Sequence, residues 1–205
     1  MEILETGSPE EVGVDSAGLE RAEGHLSNAI NLGDISAASL TIVRRRKVIF
    51  ERGYGLMYPA TDAPKVNPGS IFLLASITKP VTAWSLMQLV DEGEISIDDP
   101  VIHYLPKFSG EMRDQVLVRH LLSHTSGLPD MLPNNVELRR SHATLDEFVE
   151  GAQKTPLLFP PNSSFSYQSK GTLLAAAIVE RVSGESLRDF QQRRIFSPLD
   201  MRSSS

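Results

Sequence analysis

Two apolar runs separated by a basic turn constrain this chain more than any other stretch. Ala37-Ala38-Ser39-Leu40-Thr41-Ile42-Val43 and Val48-Ile49-Phe50-Glu51-Arg52-Gly53-Tyr54-Gly55 flank Arg44-Arg45-Arg46-Lys47. β-branched and aromatic residues on either side of a short polar link predict the two strands of a hairpin. A hairpin by itself leaves one side of each strand without a partner, so it must belong to something larger. What precedes it reads as a helix from Asp15 to about Leu32, with apolar residues at Leu19, Ala22, Leu26, Ala29 and Ile30. Asp15 is placed to cap that helix and Gly33 to stop it.

After the hairpin the pattern changes. Asp62–Ser70 is a loop rich in proline, asparagine and glycine. Helical spacing then dominates over Val81–Val90, Val118–Leu122, Leu145–Ala152, Gly171–Val182 and Glu185–Ile195. Residues 1–14 and Asp130–Ala143 read as irregular. The fold class is α+β, with residues 1–70 as part of a sheet domain and residues 71–205 as a mostly helical domain.

Where the helical block begins, Ser76-Ile77-Thr78-Lys79 places a hydroxyl three residues before an amine. On a helix those positions share a face. A serine beside a lysine is one of the few ways to make an alcohol nucleophilic without histidine. The competing explanation is an ordinary helix start, with Ser76 as its N-cap and Lys79 as a surface residue. A second polar cluster, Phe165-Ser166-Tyr167-Gln168-Ser169-Lys170-Gly171, lies between a proline-rich loop and an apolar helix. A tyrosine there can relay a proton if neighbouring cations lower its pKa, and Ser169 can hydrogen-bond a lysine or a substrate amide. The competing explanation for Tyr167 is a loop ring packed on the next helix.

Composition removes other chemistries. The 205 residues carry a formal net charge of -6, which argues against a nucleic-acid partner. The Arg44–Lys47 cluster is explained as a solvated turn. With no cysteine there is no disulfide, no thiolate metal site and no cysteine nucleophile. No apolar run is long enough to span a bilayer, and Met1–Glu5 does not resemble a secretory signal, so the expected location is cytoplasmic.

The ordered series Ser76-Ile77-Thr78-Lys79, His124-Thr125-Ser126-Gly127-Leu128 and Tyr167-Gln168-Ser169 resembles the serine β-lactamase and penicillin-binding-protein superfamily. The likeness is strongest to its class C β-lactamase-related group, which includes D-alanyl-D-alanine peptidases and carboxylesterases. It runs from about Pro9 to the last residue. It implies a β-lactamase/transpeptidase-like fold and a serine acyl hydrolase that forms an acyl-enzyme on Ser76. Lys79 and Tyr167 become the proton-handling partners, either of them the base, and Ser169 becomes a substrate-binding residue. The family usually has asparagine at the position of Ser169, and serine lacks the paired donor and acceptor of an amide. His124 takes a structural role.

The implied substrate is a small molecule: an ester, a β-lactam or a D-Ala-D-Ala peptide. No metal or organic cofactor is implied. The family's third element, K-T-G or H-x-G on a strand after the helical block, has no match between Tyr167 and Ser205. The expectation is therefore an N-terminal portion of the fold, weakly active and prone to self-association through an unpaired sheet edge. The alternative is a catalytically inactive relative that serves as a binding or scaffold module.

Overall fold

The computed structural model describes residues 4–205 as two compact units, one ending at Leu73 and the other spanning Leu74–Ser205. The first unit holds strand β1 (Glu5–Thr6), helix α1 (Ser16–Leu32) and strands β2 (Ala37–Arg44) and β3 (Lys47–Gly55). Asp15 caps α1 as expected, its carboxylate accepting from the N–H groups of Ala17 and Gly18 at 3.3 and 2.9 Å. Gly33, at φ 78°, ends it in the left-handed conformation. Arg52 on β3 pairs with Glu23 on α1 and holds helix and strand together.

The hairpin forms in antiparallel register from Ala37 opposite Gly55 to Ile42 opposite Phe50, with a bulge between Ile42 and Val43. Arg45 and Arg46, at φ 49° and 65°, make the turn. Both are left-handed, as a twist-matched two-residue hairpin turn requires. The sheet order is β1-β3-β2, and the β1 pairing is parallel. The expected irregular lead therefore contains a strand, and the hairpin is not alone. Two residues cannot show an alternating pattern, so sequence gives β1 no signature. Ladder bonds hold it instead, extended by the Gly7 N–H on the Val48 carbonyl at 3.0 Å. Among the described residues the outer edge of β2 has no strand partner.

The second unit is helical: α2 (Thr78–Asp91), α3 (Val101–Tyr104), α4 (Val118–Leu122), α5 (Asn135–Arg140), α6 (Leu145–Gln153), α7 (Lys170–Ser183) and α8 (Leu187–Gln191). Its centre is α7, against which α2, α3, α4, α6 and α8 pack. Leu174, Ala175, Ile178 and Val179 on α7 are wholly buried with Leu86, Val101, Phe108, Val116 and Leu128. Three alanines in succession, Ala175 to Ala177, the first two buried, let neighbouring helices approach closely. α6 starts on a capping box in which Thr144 and Glu147 bond reciprocally. The stretch expected to be irregular around Asp130–Ala143 contains α5. No residue of that helix is buried, so it has no apolar stripe for periodicity to detect. No helix among the described residues is long and apolar enough to cross a membrane.

His120 and His124 tie the stability of this unit to pH. Burial pushes both imidazoles below their ordinary pKa, with nearby Arg119 adding to the effect at His120 and Lys79 at His124. The unfolded chain therefore binds protons more readily than the folded one. Stability is fully present above about pH 6.5 and falls as the pH drops from there toward the depressed folded values. Urea midpoints should decline on going from about pH 7.5 to about pH 5.5. Carboxylates contribute little in that window because they titrate below it.

Candidate active site

The chain enters α2 through a 3-10 turn, Ala75–Ile77. Ser76 sits in this turn and Lys79 one residue into the helix. The N-cap position of α2 is Ile77, and no side chain caps it, so Ser76 is not spent on capping. Instead the Lys79 ammonium donates to Ser76 Oγ at 3.0 Å. Ala75, immediately before Ser76, is held at φ 47°, a left-handed conformation that alanine seldom adopts. The hydroxyl is exposed and Lys79 is half-buried. Backbone N–H groups at the start of a helix lack intrahelical acceptors, so this end favours negative charge.

Tyr167 comes to the same place from the other side of the unit. Lys79 Nζ lies 4.9 Å from the centroid of its ring. Hydrogen bonding to Lys79, then to Ser76, pulls the Tyr167 phenol below its usual pKa, while Asp130 opposes this. Serine, lysine and tyrosine thus form one polar cluster. An exposed phenol with a lowered pKa, facing an ammonium and a primary alcohol, can accept the proton of that alcohol once it is ionised to the phenolate.

Ser169 is placed differently. It occupies the N-cap position of α7 but makes no side-chain cap, and its hydroxyl has no hydrogen bond among the described residues. Its backbone N–H donates to Asp130 Oδ1 at 2.7 Å. That bond ties α7 to the loop after α4. Asp130 is a residue that sequence reasoning passed over, because it lies in a polar stretch with no periodicity. Its carboxylate acts on Tyr167, His124 and Lys170 alike.

Two buried neighbours of Tyr167 were also missed. Gln168 Oε1 accepts from Ser126 Oγ at 2.7 Å, and both residues are fully buried. Lys170 is 1% exposed, donates to Thr155 Oγ1 at 3.2 Å, and is pushed to a lower pKa by burial. A lysine opening an apolar helix was the available signal for it. A cavity of about 180 Å³ opens beside Lys79 and His124, between Thr82 and Ala83 of α2, Leu121 of α4, and Thr172 and Ala175 of α7. No group of three acidic, histidine or cysteine side chains among the described residues is placed to hold a metal ion.

Comparison with known proteins bears on this geometry. The family model described as Beta-lactamase matches residues 25–205. The chain belongs to the beta-lactamase family. It is 30% identical over 212 residues to the esterase EstB of Burkholderia gladioli, covering 95% of this chain and 53% of that protein. It is 36% identical over 153 residues to penicillin-binding protein 4* of Bacillus subtilis, covering 73% of this chain and 33% of that one. The octameric penicillin-binding-protein homologue from Pyrococcus abyssi superposes with a TM-score of 0.78 at 26% identity, over 89% of this chain and 43% of that one. The fold is therefore β-lactamase/transpeptidase-like. The chain spans about half the length, or less, of these relatives.

Proposed function

We propose that the chain carries the nucleophilic half of a serine acyl hydrolase, with Ser76 as nucleophile, Tyr167 as base and Lys79 as the cation that holds both. The observation that carries this reading is the 3.0 Å bond from Lys79 to Ser76 Oγ, with the same ammonium 4.9 Å from the Tyr167 ring. The Tyr167 phenolate takes the Oγ proton as Oγ bonds to the substrate carbonyl carbon. The collapsing intermediate expels an alcohol or amine, which leaves with the proton from Tyr167. The acyl group stays on Oγ. Tyr167 then deprotonates a water that attacks the acyl carbon, and its proton returns to Oγ as the acid departs.

The Ser76 N–H, in the turn before α2, is the donor this reading assigns to the oxyanion. Oxyanion holes commonly use two, and losing one costs about 10²–10³ in rate. The relatives named above are an esterase and a penicillin-binding protein, and the site chemistry fits either a carboxylic ester or a strained amide. The cavity of about 180 Å³ beside Lys79 and His124 is not lined by Ser76 or Tyr167, so it does not choose between the two.

Intact mass after incubation with p-nitrophenyl butyrate and with benzylpenicillin tests this directly. The expected result is one added acyl mass, mapped to the peptide that contains Ser76. An adduct elsewhere, or none with either reagent, would count against Ser76 as nucleophile.

A further inference from the structure

The turn that carries Tyr167 meets both the side chain and the backbone of His124. Its Nδ1 accepts the Gln168 N–H at 3.3 Å. Its carbonyl accepts the Ser166 N–H at 3.0 Å. Its ring lies 4.8 Å from the Tyr167 ring, tilted by 38°, and meets the Phe165 ring edge-on at 5.9 Å. Four successive residues, Phe165 to Gln168, thus meet His124, while the Gln168 side chain is held separately by Ser126 and the His120 carbonyl, and the Ser169 N–H by Asp130. Resting on the role assigned to Tyr167 above, we propose that His124 is its positioning residue: the neutral imidazole pins the phenol beside Ser76 and Lys79, and protonation of that imidazole releases it.

The chemistry follows from the acceptor role. Nδ1 can receive the Gln168 N–H only while it carries no proton, so the neutral ring has its hydrogen on Nε2. Protonation puts N–H against N–H and breaks the bond. The charged groups around the ring oppose one another. Burial, the largest influence, disfavours the imidazolium, Lys79 on α2 adds to it, and Asp130 on the loop after α4 favours the charged ring. The net effect lowers the pKa and keeps the ring neutral at neutral pH. A residue that only filled space would give the site no such dependence.

His124 is held at φ 60°, where asparagine is at ease, and an asparagine Oδ1 can stand near the Nδ1 position without titrating. His124→Asn therefore keeps an acceptor for Gln168 and removes the proton switch. His124→Ala removes both. The experiment labels the tyrosine Cζ carbons of the full chain with ¹³C, assigns Tyr167 through Tyr167→Phe, and follows its signal from pH 8 to pH 4.5. The expected result is a step at a midpoint below about 6.5 in the parent protein that is absent from His124→Asn. A flat Tyr167 signal in the parent, or the same step in His124→Asn, overturns the proposal.

Single-turnover acylation by p-nitrophenyl butyrate gives the second readout. Protonation of the Tyr167 phenolate slows every variant as the pH falls, so the readout is a difference: the parent rate should fall more steeply than that of His124→Asn through the midpoint seen by NMR. His124→Asn should lose only that additional steepness, with about a threefold loss at pH 7, and His124→Ala should lose tenfold or more at every pH. An unchanged rate in His124→Ala would also overturn the positioning role. No acylation at any pH, with the NMR step intact, would count against the hydrolase reading while supporting the clamp.

Discussion

Ser76→Ala is expected to abolish the covalent adduct and to lower acyl transfer by on the order of 10⁴-fold or more, the scale on which nucleophile deletions act. The side chain is exposed, so the loss should come without a change in thermal midpoint. Lys79→Met is the graded comparison. It keeps the length of the side chain and removes the donor that sits 3.0 Å from Oγ and faces the Tyr167 ring. Acylation should fall by about 10²–10⁴, the range for a group that handles the proton. Tyr167→Phe separates the two partners, because it leaves the ammonium on Ser76 while removing the base. Acylation by Tyr167→Phe at the parent rate would make Lys79 the base. Stopped-flow release of p-nitrophenol measures all three.

Gly127→Val should be the most disruptive single change in the helical unit outside its apolar core. Gly127 is at φ 84°, and a Cβ there would lie 2.2 Å from the Phe159 carbonyl oxygen. The approach is fixed from both sides, since the Gly127 carbonyl accepts the Leu158 N–H at 2.7 Å. The left-handed conformation alone costs a β-branched residue about 1–2 kcal/mol. Adding a backbone clash with no flexible partner brings the loss above about 3 kcal/mol, a large share of a domain's stability. The segment that turns toward Tyr167 would be displaced as well. Gly93→Ala is the control: φ is 78°, but nothing lies within 4 Å of the added carbon. Its cost should stay near about 1 kcal/mol. Urea midpoints for the two variants check the contrast.

The parts of the fold legible in the sequence are those where burial and local chemistry agree. Asp15 and Gly33 mark the ends of α1 by their own cap chemistry. The hairpin was readable from β-branched and aromatic residues on either side of a basic turn. α7 was readable because its buried face is continuous. β1 was not, since two residues in a parallel pairing leave no period, and α5 was not, since it buries nothing. At the site, Ser76, Lys79 and Tyr167 came from spacing and from likeness to a family, and the structure brings the three together. Asp130 and the engagement of His124 depend on contacts between segments some forty residues apart, which no local window contains.

Ala75 adds a consequence for how such a chain can drift. A non-glycine residue at φ 47° is held against its own preference, by about 1–2 kcal/mol. Glycine would relieve that strain in the folded chain, yet it would also loosen the turn that aims Ser76, since its backbone explores far more space. Random substitution toward stability and retention of a well-aimed hydroxyl therefore pull in opposite directions at this one position.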